Sequence, residues 1–364
     1  MMMKKKVLII GATGLVGNAV MKYFGTKDDC SVIAVSRRKP AETFGARHVS
    51  VDLTNQEQCR EVFGSMLDIT HVVYTALFEK PNLISGWTDQ EQIHTNALML
   101  RNMLEPLEKA SQTLRHVTLM QGAKAYGVHV KKIQNPAREG ISEMHEQPNF
   151  YWLQEEYLKE KQKGKSWSWT IFRPAIIFGE SIGSPMNVLT AFGVYAALLK
   201  EEGKPLHFPG GVETILVATD VDLLARAIAW AGETEKAKGE AFNITNGDVF
   251  VWSTIWKTIA NTLGMEPGEN VPLCLTEEIP KRETEWKYIC EKYGLVSPGI
   301  KEFVGSSFEF ADYYFSFGHK EMRYPPLYSD MKLHKAGFHE WEDTEEMFVK
   351  WFRLFQEKRL LPRP

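Results

Sequence analysis

The chain has 364 residues, of which 44% are hydrophobic and 24% charged, so its composition is that of an ordinary globular protein. Its 43 basic and 46 acidic side chains give a net charge of −3, which argues against a nucleic-acid or anionic-membrane partner. The four cysteines are scattered and the ten histidines show no metal-ligand spacing, so we expect reduced thiols and no metal. No segment approaches the roughly 18 apolar residues that span a bilayer, and we expect a cytoplasmic protein.

A short apolar strand at 7–10 leads directly into three glycines, Gly11, Gly14 and Gly17, and an amphipathic helix at about 15–24 follows. In such a turn, bare backbone N–H groups and a helix N-terminus can approach a pyrophosphate. The sequence therefore predicts a dinucleotide site. The cofactor contacts expected in this turn are Gly11, Thr13, Gly14, Leu15, Val16 and Gly17.

The end of the second predicted strand, 31–36, indicates which nicotinamide cofactor is used. A site for NAD usually carries a carboxylate there, about 20 residues after the glycines, which bonds the ribose 2′-hydroxyl. This chain instead has Ser36, Arg37 and Arg38, and two guanidinium groups can hold a 2′-phosphate. A solvated surface turn is the alternative, but the location favours NADPH.

Strand and helix signals continue to alternate through the first half. We predict further strands at 49–51, 71–74, 116–120 and 168–172, with helices at about 56–66, 90–110 and 153–163. This succession predicts an α/β fold with a Rossmann-type doubly wound parallel sheet. Residues that follow the strands are expected to contact the cofactor: Asp52, Leu53, Thr75, Ala76 and Gln121.

The pattern changes after residue 180. Helices are predicted up to about 200 and at 221–231, and the remainder is less regular and rich in aromatic residues. We expect residues 1–180 to form an NADP(H)-binding Rossmann domain, to which later segments could return. Residues 181–364 would mainly form a smaller C-terminal substrate-binding lobe, whose aromatic residues favour a packed core over an apolar pocket wall.

The catalytic pair has two candidate positions. Reductases with this fold usually carry Tyr-x-x-x-Lys, and Tyr157 with Lys161 has that spacing. Only 12 positions separate Lys161 from Arg173 (173 − 161), and they must hold a helix end, a loop and a strand. The many charges around Tyr157 are typical of a solvated helix end, so we do not favour this pair.

The second candidate is Lys124 with Tyr151. Lys124 lies just beyond a predicted strand, at the edge of the sheet where ligands of such folds bind. Tyr151 lies at the entry to the next helix, and Glu155 occupies the usual lysine position four residues later. The cation must then come from another segment, and Lys124 is available. A buried tyrosine with one satisfied hydrogen bond is the alternative interpretation of Tyr151.

These residues carry a family resemblance. The chain resembles the progesterone 5β-reductase/iridoid synthase-like enzymes, an atypical branch of the extended short-chain dehydrogenases/reductases. The shared stretches are 11–17, 36–38, 51–53, 122–124, 149–151, 173–179, 203–210, 243–250 and 329–338. The chain departs from the family at Trp152, where a second tyrosine is common, and at Ala125, where a histidine is common.

The resemblance implies NADPH-dependent reduction of the C=C bond of α,β-unsaturated carbonyls (enones and enals) by 1,4-addition of hydride. It makes Lys124 and Tyr151 the catalytic pair. The Tyr151 hydroxyl would stabilise the enolate, and the Lys124 ammonium would hold the nicotinamide ribose and lower the pKa of the phenol. Ile177 is expected to meet the nicotinamide. The expected pocket walls are Phe150, Trp152, Met186 and Phe338.

Two other functions fit the same fold. A nucleotide-sugar epimerase or dehydratase would need polar groups for its substrate in the second half, which is aromatic and apolar instead. A non-catalytic NADP(H)-sensing protein would not need both Lys124 and Tyr151. The expected partner is a small hydrophobic enone or enal. We expect no nucleic-acid or membrane partner, and a homodimer is possible.

Overall fold

The computed structural model describes residues 5–80, 85–184, 186–321 and 325–364. The chain divides into two compact units, and the first change of unit falls between Ala175 and Ile176. Two later segments belong to unit 1, which consists of Met1–Ala175, Val221–Ile244 and Tyr328–Glu340. Unit 2 consists of Ile176–Asp220, Thr245–Leu327 and Trp341–Pro364.

The strands, in chain order, are β1 (Lys5–Ile10), β2 (Cys30–Val35), β3 (Arg47–Val49), β4 (His71–Tyr74), β5 (His116–Met120), β6 (Ser168–Pro174), β7 (Ile176–Phe178), β8 (Leu206–Phe208), β9 (Ala218–Asp220), β10 (Glu240–Ile244) and β11 (Pro267–Asn270). The helices are α1 (Leu15–Gly25), α2 (Gln56–Gly64), α3 (Gln90–Ala110), α4 (Phe150–Gln162), α5 (Val188–Glu201), α6 (Val221–Ala231), α7 (Trp252–Thr262), α8 (Leu275–Glu278), α9 (Glu283–Tyr293), α10 (Ile300–Val304), α11 (Ser307–Tyr314), α12 (Met331–Ala336) and α13 (Thr344–Glu357). Short 3₁₀ helices include Ser85–Thr88 and Ala123–Tyr126.

Unit 1 is built around a seven-stranded sheet with the order β10-β6-β5-β4-β1-β2-β3. All of its strand pairs are parallel. The order reverses beside β1, so the chain winds outward in both directions, as in a dinucleotide-binding fold. The predicted Rossmann-type fold is confirmed.

The sheet forms because its strands are apolar on both faces. Every residue of β4 is buried, as are the last four residues of β1 and of β2. Helices that cover both faces of a parallel sheet exclude water from such strands. Neighbouring strands therefore end together, and the loops that follow β1, β2, β4, β5 and β6 meet at one edge, here called the carboxyl edge.

Of the boundaries that differ from those predicted, two have a clear structural cause. Strand β3 lies at Arg47–Val49 rather than at 49–51, because its pairing with β2 joins Ile33 to Arg47 and Val35 to Val49. Helix α4 begins at Phe150 rather than near 153, because the Asn149 side chain caps it by accepting a hydrogen bond from the Tyr151 amide at 3.0 Å.

Unit 2 contains two small parallel pairs, β7 with β9 and β8 with β11. Its core is aromatic: Trp252 packs edge-on against Phe315 at 4.9 Å between ring centroids, and Phe192 packs against Trp256 at 5.0 Å. Such pairs stabilise a core beyond the area they bury. These late aromatic residues therefore form packed core, as the composition favoured.

Within the described ranges, no helix is both long and apolar enough to cross a membrane. The same ranges contain no group of three His, Cys, Asp or Glu side chains placed to hold a metal ion.

Candidate active site

The glycine turn joins β1 to α1 in very little space. Gly11 has φ +90°, and a Cβ built on it would lie 2.8 Å from the amide nitrogen of Ala76. A Cβ built on Gly17 would lie 2.2 Å from the carbonyl oxygen of Gly11. The backbones of the turn, of α1 and of the segment after β4 thus touch directly, and only glycine fits at these two positions. The Thr75 hydroxyl fastens the junction by donating to the Ile10 carbonyl at 2.8 Å.

Among the described residues, no side chain caps the first turn of α1. Its N-cap residue is Gly14, which has no side chain to accept from them, and no acidic residue occupies the first turn. The N–H groups of Leu15, Val16 and Gly17 have no partner inside the helix, as at any helix start. Such a helix N-terminus attracts an anion. Together with the glycine cradle, this arrangement fits the pyrophosphate of a dinucleotide.

The turn after β2 presents two exposed cations. Ser36 is buried, and its hydroxyl donates to the Arg38 carbonyl at 2.6 Å, while Arg37 and Arg38 extend into solvent. Neither guanidinium forms an ion pair or a hydrogen bond with another residue of the described ranges. Asp52 follows β3; hydrogen bonds from Thr54, and to a smaller degree the charge of Arg37, lower the pKa of its carboxyl. The turn therefore leaves both arginines available to an anion.

Other predicted cofactor residues have clear structural roles as well. Leu53 is buried, and its carbonyl accepts from the Asn102 amide at 2.9 Å. Ala76 packs against Gly11, as described above. Thr13 and Val16 are half-buried in the glycine turn. All of these residues lie along the carboxyl edge, near the turns that carry the glycines and the arginines.

Lys124 and Tyr151, 27 positions apart in the sequence (151 − 124), are joined by one buried residue. The Asn149 amide donates to the Lys124 carbonyl at 3.1 Å, and its oxygen accepts from the Tyr151 N–H at 3.0 Å. The Tyr151 hydroxyl lies beside Gly122, at 3.5 Å from the position a Cβ on that glycine would take. Neither the Tyr151 hydroxyl nor the Lys124 ammonium has a hydrogen-bond partner among the described residues.

Trp87 is the centre of this site. The Lys124 Nζ lies 3.8 Å from the centroid of its indole ring, a cation–π contact. The rings of Phe150 and Tyr151 lie at 4.8 and 5.2 Å from it. Its indole N–H donates to Glu79 Oε1 at 3.1 Å. One side of the Lys124–Tyr151 pair is therefore a continuous aromatic wall.

Three members of this site were missed by the sequence analysis: Glu79, Trp87 and His129. Glu79 Oε2 and both ring nitrogens of His129 are buried without a hydrogen-bond partner within the described part of the chain. The His129 ring lies 6.5 Å from the indole of Trp87. The only local signal was an aromatic and two polar residues in loops after β4 and β5, which is too common to single them out.

The protonation states in this site follow from burial. Desolvation lowers the pKa of the Lys124 ammonium to about 8, and the Glu79 carboxylate partly opposes that shift. Desolvation, together with the charge of Lys124, lowers the pKa of His129 to about 4. Burial raises the pKa of the Tyr151 phenol far above its usual range; Glu79 adds to the rise and Arg173 opposes it. The predicted lowering of the phenol pKa by Lys124 is therefore corrected, and Tyr151 is a neutral hydrogen-bond donor.

Gln121 and Arg173 form a buried network behind Tyr151. The Gln121 amide donates to Glu155 Oε2 at 2.9 Å and to the Tyr151 carbonyl at 3.3 Å, and its oxygen accepts from Arg173 Nε at 2.8 Å. Arg173, 1% exposed, also donates to Glu143 Oε1 at 2.5 Å. Because every polar atom of the Gln121 side chain is bonded to protein, we interpret Gln121 as a support of α4 rather than a cofactor ligand.

The four residues predicted to line the pocket have different surroundings in the structure. Phe150 belongs to the aromatic wall. Trp152 lies in the same helix, where its ring packs at a tilt against His145 at 4.1 Å between centroids and its N–H donates to the Met144 carbonyl at 2.9 Å. Phe338 is 2% exposed and packs against Trp230 of α6, so we leave it out of the proposed site as a core residue. Met186, like Ile177 of the predicted cofactor set, belongs to unit 2, and the roles of both stay predictions.

The other tyrosine of α4 faces a different neighbour. Tyr157 packs against α3, where the guanidinium of Arg101 lies 5.2 Å from its ring centroid. Lys161 forms an ion pair with Glu105 at 4.0 Å. The Tyr157 hydroxyl is buried without a partner in the described ranges. This pair is thus held between two helices, away from the aromatic wall around Tyr151.

The sheet order and the glycine turn define a Rossmann-fold protein of the short-chain dehydrogenase/reductase type. Comparison with known proteins is more specific. A family model described as a PRISE-like Rossmann-fold domain matches residues 52–362. The chain belongs to this family, the progesterone 5β-reductase/iridoid synthase-like proteins, which confirms the resemblance seen in the sequence.

Among curated proteins, the chain is 32% identical to the 3-oxo-Delta(4,5)-steroid 5-beta-reductase of Arabidopsis thaliana, covering 98% of this chain and 92% of that protein. It is 31% identical to an (S)-8-oxocitronellyl enol synthase of Antirrhinum majus, with the same coverage. Among solved structures, a UDP-N-acetylglucosamine 4-epimerase of Methanobrevibacter ruminantium M1 superposes with a TM-score of 0.66 and 14% identity, over 98% of this chain and 100% of that one. The last likeness shows the fold alone.

Proposed function

We propose that this protein catalyses the NADPH-dependent reduction of the C=C bond of α,β-unsaturated carbonyl compounds. The Tyr151 hydroxyl carries the proposal: it is a neutral donor with no hydrogen-bond partner among the described residues, beside a lysine and an aromatic wall. The two curated relatives above are named as a steroid reductase and an enol synthase, which supports chemistry at a conjugated carbonyl.

The residues present fit a bound NADPH. The glycine turn and the first turn of α1 would hold its pyrophosphate, and Arg37 with Arg38 its 2′-phosphate. The Lys124 ammonium would leave the face of Trp87 to hold the nicotinamide ribose. When bound, the reduced nicotinamide supplies the hydride that adds to the β-carbon of the enone.

Tyr151 acts at the other end of the conjugated system. Its O–H donates to the carbonyl oxygen, on which negative charge develops as the β-carbon is reduced. A donor already oriented in a water-poor site is commonly worth about 10²–10³ in rate. Asn149 and Gln121 fix the backbone of Tyr151, so the hydroxyl is positioned before the substrate arrives. The α-carbon then takes its proton from solvent.

The test compares two tyrosines of one helix. We expect a small cyclic enone to stimulate oxidation of NADPH. The reaction is monitored through the loss of nicotinamide absorbance. Tyr151→Phe should lower kcat/KM by about 10²–10³, because only the oxyanion donor is removed. Tyr157→Phe removes a hydroxyl that lies against α3, and it should leave kcat/KM within about twofold.

Two outcomes would overturn the proposal. If no enone or enal stimulates oxidation although NADPH binds, the protein is a sensor or acts on another substrate, such as a nucleotide sugar. If Tyr157→Phe is the deleterious variant, the reacting group lies on the other face of α4.

A further inference from the structure

Arg173 lies at the centre of the buried network behind Tyr151, and its hydrogen-bond partners come from three separate segments. Its Nη1 donates to Glu143 at 2.5 Å, in the long segment after β5, and its Nη2 lies 3.5 Å from Glu155 Oε2, in α4. Its Nε donates to Gln121, directly after β5, at 2.8 Å. The side chain is buried, so bulk water does not compete for these bonds.

The guanidinium also packs near two aromatic rings. Its central carbon is 5.5 Å from the ring centroid of Tyr126 and 5.7 Å from that of Trp152. Tyr126 follows Lys124 by two positions, and Trp152 follows Tyr151 directly. Arg173 therefore contacts both segments that carry the Lys124–Tyr151 pair, although it forms no hydrogen bond with either member of the pair.

Glu155 occupies a position that has a different residue in the usual pattern. It lies four residues after Tyr151, where Tyr-x-x-x-Lys sequences have their lysine, and its Oε2 accepts from Gln121 at 2.9 Å. A lysine at position 155 would bring a second cation against Arg173, and like charges in a buried site disfavour each other. The guanidinium thus favours a carboxylate at this position, and the ammonium of the pair comes from Lys124 instead.

A buried network of this kind is not needed for stability alone. Burying charges costs desolvation free energy, and well-packed apolar side chains of similar volume are often as stable. Hydrogen bonds add direction, because each one constrains both a distance and an angle. Gln121 bonds the Tyr151 carbonyl on one side and Arg173 on the other, so the placement of the guanidinium is transmitted to the first turn of α4.

We propose that Arg173 is a positioning residue for Tyr151. Through Gln121 and Glu155 it sets the orientation of the start of α4, and thereby the point to which the Tyr151 hydroxyl donates. This inference rests on the proposed function, in which that hydroxyl meets the carbonyl oxygen of the enone. Such placement matters for the rate, because a misplacement of about 1 Å can cost about 10²-fold.

Two variants loosen the network and leave its charges in place. Arg173→Lys keeps the cation, but an ammonium lacks the planar fork that serves several acceptors at once. Gln121→Leu leaves Arg173 with both carboxylates and removes the link to the Tyr151 carbonyl. For each variant we expect kcat with a small cyclic enone to fall at least about tenfold, while the dissociation constant of NADPH stays within about twofold.

The same substitutions in the Tyr151→Phe background separate positioning from a general effect on the fold. With no hydroxyl to orient, each should change kcat by less than about twofold, because changes that act through one group are not additive. A purely structural role would lower kcat by the same factor in both backgrounds. That result would overturn the inference.

Gln154→Leu is the matched control for Gln121→Leu. Gln154 is a buried residue of α4 whose amide donates to the Asn96 carbonyl at 2.9 Å, so the substitution removes a similar bond from the same helix. We expect a comparable loss of stability, but kcat should fall by less than about threefold. If kcat fell as far as in Gln121→Leu, any weakening of α4 would impair turnover, and Arg173 would have no special role.

A measurement without turnover distinguishes failure of this inference from failure of the proposed function. Hydrogen exchange of the backbone amides of residues 149–155 should be at least about tenfold faster in Arg173→Lys and Gln121→Leu than in the wild type. If exchange is not faster, Arg173 does not hold the start of α4 and the inference is wrong. If exchange is faster but no enone is reduced, or Tyr151→Phe is as active as the wild type, the proposed function is wrong instead.

Discussion

Both edges of the seven-stranded sheet bury titratable side chains, but the side chains differ in what they bond to. At the amino edge, His71 and His116 begin β4 and β5, with ring centroids 6.4 Å apart. Three of their four ring nitrogens contact Thr70, Gly232 or Ser168. At the carboxyl edge, the Lys124 ammonium and the Tyr151 hydroxyl bond to no described residue.

The hydrogen-bond partners of these buried groups help to distinguish structural residues from candidate catalytic residues. Burial lowers the pKa of His71 to about 4 and of His116 to about 3, just as it lowers the pKa of Lys124 to about 8. A shifted pKa alone does not mark a site, because structural groups are shifted by the same desolvation. At the carboxyl edge the unbonded groups are an ammonium and a phenol side by side against an aromatic wall, whereas at the amino edge only one imidazole nitrogen of His116 lacks a partner among the described residues.

The largest effect is expected when the unbonded ammonium of Lys124 is removed from the carboxyl edge. We expect Lys124→Met to lower kcat/KM for NADPH by about 10²–10³, because it deletes the charge that, in the proposed function, holds the nicotinamide ribose beside the Tyr151 hydroxyl. Lys161→Met is the matched control. Its ammonium pairs with Glu105 on the other face of α4, so kcat/KM should stay within about twofold.

The pH dependence tests the same lysine. In wild type the ammonium loses its charge above a pKa of about 8, so kcat/KM for NADPH should fall about tenfold per pH unit above it. Arginine stays charged throughout, and Lys124→Arg should lack this limb even if it is slower overall. A limb that persists in Lys124→Arg would assign it to another group.

A smaller effect is expected at the glycine turn. Gly17→Ala places a Cβ against the Gly11 carbonyl, and we expect the free energy of unfolding to fall by about 2–3 kcal/mol and NADPH to bind at least tenfold more weakly. Gly64→Ala is the control, since a Cβ there meets nothing within 4 Å. It should be neutral or stabilise by up to about 1 kcal/mol in urea unfolding. If both variants lost the same free energy of unfolding, the loss would come from replacing any glycine of a helix and not from the crowded turn at Gly11.

The last prediction concerns stability at the amino edge and leaves activity aside. Between about pH 4 and 6.5 the unfolded chain binds protons at His71 and His116 that the folded chain does not, so stability rises with pH in this window. From pH 7 to pH 5 we expect each histidine to cost about 2 kcal/mol in the free energy of unfolding.

Urea unfolding at the two pH values measures this loss. His71→Leu should reduce the loss of stability between pH 7 and pH 5. His94→Gln should leave that loss unchanged, because His94 is exposed. A wild-type free energy of unfolding that is the same at both pH values would show that neither histidine is held neutral by burial.

The sequence predicted the parts of the molecule that depend on local patterns. Apolar runs indicated β4 and β5 with the right ends, and the spacing of Gly11, Gly14 and Gly17 indicated a tight turn. The predicted bounds of β3 were wrong because the strand is placed by its pairing with β2 and not by the apolar run. The start of α4 was wrong because the Asn149 cap was not recognised.

The candidate site was also approached through local patterns, and its residue roles stay predictions. Lys124 and Tyr151 were found from their places at a strand end and a helix start. Trp87 was missed because its neighbours come from three segments, the loop after β4, the 3₁₀ helix after β5, and α4. Gln121 was predicted to contact the cofactor from its position at the sheet edge; the sequence does not show that its side chain bonds Arg173 and Glu155.

The indole of Trp87 separates two opposite charges. Glu79 holds its edge through the N–H, and the Lys124 ammonium rests on its face, so the lysine and the carboxylate form no ion pair. A direct pair would neutralise the ammonium and commit it to one geometry. The indole ring instead keeps the two groups apart: the carboxylate partly offsets the loss of pKa that burial causes, and the ammonium is not held in an ion pair. In the proposed function this leaves the ammonium available to the nicotinamide ribose.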